Sequence, residues 1–273
     1  MNAQIVRVAA ILGVAATMLA AAAARAHAAP LAHGDLLHIA KPRTAQAAQS
    51  NNWFGYNQGT LEQGGKQFNA VTGDWIVPTA TQHTRGQEES SSDWIGIGGG
   101  CIDAGCTIGD TTLIQTGTEQ DVAADGTPSY SAWWEAIPTP SITISDMSVH
   151  PGDHMHASVA ETAPGAEVWN VQLTNVTTGR SFSTTIPYPS THATAEWIEE
   201  TPLVVGTGGA GLAALPNLSD TPFTSGTTNG ANAGLQPSEQ IQLVDANGSV
   251  IGTPSAPNAT ADGFTACAWA TSC

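Results

Sequence analysis

THATAEWIEE, residues 191–200, sets a glutamate beside a tryptophan inside a segment that reads as a β-strand. Alternation along a pleat puts Thr194, Glu196 and Ile198 on one face and Ala195, Trp197 and Glu199 on the other. Both faces carry bulky apolar side chains, so the strand is expected to be buried on both sides. A carboxylate in such a strand needs a partner, yet the stretch holds no lysine or arginine.

Working outward, short runs rich in Val, Ile, Thr and Trp recur between Gly, Pro, Asn and Asp clusters, and few segments show a helical period. FNAVTGDWIVP, SSDWIGIGG, TTLIQTGTEQ, SYSAWWEAIP, HMHASVAET, VWNVQLTNVTTG, RSFSTTIPY and EQIQLVDANGSVIG are the strand candidates. LTNVTTGRSFST reads as a hairpin turning at Thr178-Gly179. Asn247-Gly248 predicts a second, tight hairpin with positive backbone angles at both turn residues. Many strands at this spacing predict an all-β fold, a two-sheet antiparallel sandwich. The Gly-rich passage from Val204 to Gly234 reads as a long surface connection.

The ends and the composition place the chain in a class. Arg7, an apolar run from Val8 to Ala24 and the sequence RAHAAP describe a signal peptide over residues 1–28, with cleavage after Ala28. Residues 29–50 read as a short leader or pro-segment without a clean period, and residues 51–273 as a single domain. The expected product is secreted, extracellular and free of the membrane. The net charge is -16, or -18 without the two arginines of the signal, and from residue 86 onward Arg180 is the sole lysine or arginine. At neutral pH such carboxylates repel one another, and in acid they protonate. A protein suited to acid and weakened at neutral pH follows, and nucleic acid is excluded as a partner for want of cations. Four cysteines, Cys101, Cys106, Cys267 and Cys273, in an exported chain imply two disulfides. The spacings favour Cys101–Cys106 and Cys267–Cys273 without fixing the connectivity.

Leu113 and Gln115 share a strand face, so an amide stands on an otherwise apolar side. Facing Glu196 across a concave sheet, that amide would complete a hydrolytic pair. A carboxylate takes a proton from water and later delivers it to a leaving amine, while an amide N–H holds the developing oxyanion. Without a cation nearby, burial is expected to raise the pKa of Glu196.

NNWFGY (51–56), DWIVP (74–78), DWIGIGG (93–99), LIQTG (113–117), YSAWWEAIP (130–138) and AEWIEE (195–200) occur in that order. Together they resemble the signature strands of the acid glutamic peptidases, the eqolisin family, and LTNVTTG and LVDANGSVIGTPS resemble its later hairpins. The resemblance runs from about Asn51 to Pro254. It implies a secreted endopeptidase active in acid, built as a legume-lectin-like sandwich whose bent sheets form a substrate cleft, with no cofactor and no metal. Gln115 would be the oxyanion-stabilising amide and Glu196 the general base and acid, with Trp53, Trp94, Trp133 and Glu135 lining the cleft. The chain departs from the family where Gly98 and Ser131 replace aspartate and Ile137 replaces tyrosine, and in the longer segment before Gln115 that carries Cys101 and Cys106.

Two other classes share this architecture: a secreted carbohydrate-binding sandwich using tryptophans, and a two-carboxylate glycosidase using Glu135 and Glu196. The glutamine motif favours the peptidase, acting on polypeptides as a monomer. HPGDHMH places His154 and His156 on one strand face, but protonated imidazoles in acid are poor metal ligands. Asn175, Asn217, Asn247 and Asn258 stand in glycosylation sequons.

Overall fold

The computed structural model describes residues 35–39, 48–206 and 209–273; the signal peptide and most of the leader read from the sequence lie outside them. Thirteen strands carry the architecture: β1 (Trp53–Gly59), β2 (Ala70–Ile76), β3 (Glu89–Gly98), β4 (Leu113–Val122), β5 (Pro128–Ala136), β6 (His154–Glu161), β7 (Val168–Asn175), β8 (Arg180–Pro187), β9 (Thr194–Glu200), β10 (Thr221–Thr228), β11 (Gln240–Val244), β12 (Val250–Pro254) and β13 (Phe264–Ala268). Hydrogen-bonded neighbours run β8-β7-β6-β2-β10-β13-β12-β11-β1-β9-β3-β4-β5, and every pairing in that series is antiparallel.

One strand turns this ladder into two layers. In β11, Gln240 and Ile241 pair with Tyr56 and Gly55 of β1, while Leu243 and Val244 pair with Gly252 and Val250 of β12 across a register shift. The layers then pack face to face through Ile95, Ile97, Ile114, Ala195 and Trp197 on one side and Val71, Trp75, Val159, Trp169 and Phe223 on the other. Each large side chain buried this way contributes about 1.5–3 kcal/mol. Two of the three seam indoles are satisfied across it, Trp75 Nε1 donating to Thr118 Oγ1 at 2.9 Å and Trp197 Nε1 to the Thr72 carbonyl at 2.8 Å, while Trp169 Nε1 donates to the Tyr188 carbonyl at 3.0 Å. Cys101–Cys106 and Cys267–Cys273 are the two disulfides.

The strand candidates hold, with three corrections. The Gly-rich passage contains a central strand, β10, which pairs with both β2 and β13. A bulge between Thr224 and Thr227, with Ser225 at φ 56°, breaks the two-residue period and hides the strand in sequence. Phe264–Ala268 is a further strand absent from the expectation. The second hairpin is wider than Asn247-Gly248 suggests. Only Gly248 has a positive φ (81°), and the Asp245 carboxylate accepts the Asn247 and Ser249 amides at 2.8 Å each. That side chain satisfies the turn amides and removes the need for a second left-handed residue.

The leader is also partly built into the fold. Asp35–Leu37 pairs antiparallel with Leu203–Val205, and Gln49–Ser50 pairs with Gln242–Leu243.

Candidate active site

The faces read from the pleat are those observed. Ala195 and Trp197 enter the seam between the layers, and Ile198 joins Trp53, Trp94, Leu113, Trp133 and Ile241 in a separate apolar cluster on the opposite face. On that face the registers of β1, β9, β3, β4 and β5 align side chains in rows across the sheet. One row reads Asn57, Glu196, Gly96, Gln115, Glu135. The next reads Gly55, Ile198, Trp94, Gly117, Trp133, and the one beyond it Trp53, Glu200, Ser92, Glu119, Ser131.

Gln115 and Glu196 are therefore two strands apart, about 9.5 Å between backbones, with a glycine between them. Any side chain at 96 would begin 3.1 Å from the Gln115 Cβ and occupy the ground over which amide and carboxyl face each other. Gln115 Nε2 donates to Glu135 Oε2 at 2.7 Å, fixing which way the amide points. Gln115 Oε1 and both Glu196 oxygens are buried and meet no hydrogen-bond partner in good geometry among the described residues. In a protein of this density, buried acceptors are normally satisfied.

The far side of Glu196 is closed by the loop after β3. Gly98, at φ 98°, begins it, and a Cβ there would lie 2.1 Å from the Thr112 carbonyl. An aspartate at that position is thus incompatible with this loop path. Gly100 then passes so close that a Cβ on it would sit 1.6 Å from Asn57 Oδ1 and 2.6 Å from Glu196 Oε1. The Asn57 amide holds the loop at both polar atoms: Oδ1 accepts the Cys101 N–H at 2.7 Å, and Nδ2 donates to the Cys101 carbonyl at 3.0 Å.

Burial pushes the Glu196 carboxyl well above its usual range, outweighing the Thr194 hydroxyl that pulls it down, and the charge of Asp110 adds a smaller upward push. Burial raises Glu135 to about 7, against the attraction of a neighbouring imidazole and of the Gln115 amide.

All six sequence-assigned site residues lie on one face. Trp94 Nε1 donates to Glu200 Oε2 at 2.8 Å and Trp133 Nε1 to Ser92 Oγ at 3.0 Å, while Trp53 packs edge-on against Trp94 with ring centroids 4.9 Å apart. Asn57, Glu119 and Glu200 belong to the same face and were not singled out from the sequence. Period two supplies the signal for the two glutamates, because each stands four residues beyond Gln115 or Glu196. His154 and His156 lie in the other layer, both against Asp74. Gln115 stands between Glu135 and Glu196 in the row and engages the first, an arrangement that does not favour two carboxylates acting on a glycoside.

Comparison with known proteins places the chain in a family and a fold. A profile of the Peptidase A4 family matches residues 51–263. The chain is 26% identical over 230 residues to Aspergillopepsin-2 of Aspergillus niger, covering 76% of this chain and 75% of that protein. It is 28% identical over 195 residues to Scytalidopepsin B of Scytalidium lignicola, covering 68% and 69%. Among solved structures, scytalido-glutamic peptidase with a transition state analog inhibitor superposes with a TM-score of 0.59 at 20% identity, over 80% of this chain and 98% of that one. Aspergilloglutamic peptidase from Aspergillus niger superposes with a TM-score of 0.54 at 25% identity, over 66% and 99%. With matched residues spanning every strand that carries the row of Gln115 and Glu196, the chain belongs to the Peptidase A4 family and is a peptidase.

Proposed function

We propose that this peptidase is a secreted acid endopeptidase that hydrolyses peptide bonds with Gln115 and Glu196. The observation that carries the reading is their common row on either side of Gly96, with buried, unpartnered acceptor atoms on both. In the fraction of molecules in which Glu196 is ionised, a minority in acid because burial favours its proton, its carboxylate removes a proton from water as the water oxygen bonds to the scissile carbonyl carbon. Charge gathers on the former carbonyl oxygen and is held by a Gln115 Nε2–H. One of the two amide hydrogens is engaged by Glu135, which leaves the second for the oxyanion. Glu196 then passes its proton to the amine nitrogen as the C–N bond breaks, giving a carboxylic acid and an amine. Glu135 acts as a positioning residue for the amide.

Export is supported by the N-terminal segment, with Arg7, the apolar run from Val8 to Ala24 and RAHAAP. Among the described residues no helix is long and apolar enough to cross a membrane.

Cleavage of an unfolded protein between pH 3 and 5 tests the assignment. Pepstatin-resistant activity that disappears in Glu196→Gln, in a protein with unchanged circular dichroism, is the expected result. Retention of substantial activity in that folded variant rules the mechanism out.

A further inference from the structure

The row Trp53, Glu200, Ser92, Glu119, Ser131 lies four residues along the strands from the proposed dyad, roughly 13 Å, and takes no part in the chemistry above. His38 of the leader is seated on it. The imidazole stacks on Trp133 with centroids 3.7 Å apart and planes 6° from parallel. Nδ1 stands 3.1 Å from Glu200 Oε2 and Nε2 stands 3.2 Å from Glu119 Oε2, with His38, Glu119 and Glu200 all buried.

Nδ1 is in hydrogen-bond geometry with Glu200, while Nε2 meets Glu119 at ion-pair distance without that geometry. Two carboxylates at this range favour the imidazolium, the form with an N–H on each nitrogen. The seat is built independently of its occupant. Trp94 Nε1 and Asn52 Nδ2 hold the Glu200 carboxylate from behind, and Ser92 holds Trp133. Glu119 Oε1 is buried and has no hydrogen-bond partner among the described residues. No lysine or arginine pairs with either glutamate among those residues, so the cation must come with the occupant. Burial alone would drive the proton off His38, but Glu119 and then Glu200 outweigh it and keep the ring's pKa well above the usual histidine value. Glu135 and Asp121 add their fields from farther away.

We propose that Glu119, Glu200 and Trp133 form a substrate subsite selective for a flat cation, the protonated imidazole of a histidine side chain, and that His38 occupies it in place of substrate. The inference rests on the peptidase reading for the word substrate; the cation seat itself does not. A guanidinium, flat and charged, is the second choice. A lysine ammonium, which cannot stack, and a neutral leucine fit poorly.

Two measurements on the full chain separate these parts. The first is thermal unfolding of His38→Ala at pH 6 with added imidazole or with pyrazole, a ring of the same size that is uncharged at that pH. Imidazole should raise Tm in His38→Ala but not when Glu119→Gln and Glu200→Gln are added, and pyrazole should do nothing. Equal effects of the two rings, or none from either, overturn the seat. The second compares cleavage at pH 5 by His38→Ala, whose seat is vacant, of peptides differing only by His, Arg, Lys or Leu at one scanned position. A kcat/KM ratio of His over Leu of about ten is expected for a charge-assisted contact, falling toward one when Glu119→Gln is added. Peptides cut without any histidine preference overturn the substrate role even if imidazole binds, and His38→Gln replaces His38→Ala in both arms should the latter not fold. A chain that cuts no peptide refutes the peptidase reading, while the imidazole arm still decides the seat.

Discussion

Asp74 on β2 and the carboxyls of Asp93, Asp121, Glu135 and Glu199 on β3, β4, β5 and β9 belong to opposite layers of one sandwich and live by opposite rules. Asp74 is half-buried on the outer face between His154 and His156. Partial burial raises its pKa, but the two imidazoles outweigh that and bring it below the ordinary value. In the other layer Asp93 and Glu199 are register partners on the inward face, both fully buried. Their neighbours are neutral: Gln120 Nε2 donates to Asp93 Oδ2 at 2.9 Å and Thr221 Oγ1 to Glu199 Oε2 at 3.3 Å. Burial pushes Asp93 up to about 7, and pushes Glu199 well above its range with the charge of Asp93 adding to it. Asp121 and Glu135 reach about 7 for the same first reason. What differs between the layers is whether a cation came along. With one, a carboxylate stabilises the fold when ionised; without one, it does so only while it keeps its proton.

The pH dependence follows with opposite signs. A carboxyl whose pKa is raised on folding contributes stability that is complete below the unfolded value, near 4, and is lost as pH rises through the folded value. For Asp93, Asp121 and Glu135 that window closes at about 7. Asp74, with a lowered pKa, contributes above the unfolded value and loses its contribution as pH falls through the folded one. His156, held above its usual pKa first by its bond to Asp74, contributes fully below about 6.5 and loses that contribution at higher pH.

The largest expected effect sharpens the special status of the site row. Glu196→Gln should lower cleavage by roughly 10²–10⁴-fold and Gln115→Ala by about 10²–10³-fold, both read as kcat/KM on one peptide. Next comes the layer's pH response. Urea unfolding should give a maximum in stability near pH 4 and a fall of several kcal/mol by pH 7, since each proton retained by the folded state adds a slope of about 1.4 kcal/mol per pH unit. Asp93→Asn combined with Glu199→Gln should flatten that slope; a stability that rises toward pH 7 would break the comparison. Gly100→Ala is expected to cost about 1–3 kcal/mol, visible as a lower Tm, because the new methyl would collide with Asn57 and Glu196. The smallest effect belongs to Asp74→Asn. An exposed-side pair with histidine is worth about 0.2–1 kcal/mol, seen at pH 5 and vanishing once His156 loses its proton.

The all-β class, the strand faces and the candidate pair Gln115 and Glu196 follow from local alternation, whereas Trp53, Trp94, Trp133 and Glu135 were assigned through the resemblance to the glutamic peptidases. The bond of Glu135 to Gln115 depends on β4 and β5 being neighbours. β10 was unreadable because its bulge spoils the alternation that defines a strand. The covering loop was equally hidden: GGGC announces a flexible turn, and only the approach of Gly100 to Asn57 gives the glycine its reason.

The sequence by itself determined that a carboxylate at 196 would be buried with no lysine or arginine beside it, because alternation fixes the face and composition fixes the supply of charge. Tertiary structure alone decided what meets what. A row across five strands is a matter of register, and register is set by packing between layers over long sequence distances. His38 illustrates the point: nothing in its surroundings along the chain distinguishes it, and only the fold brings it onto Trp133 between two glutamates.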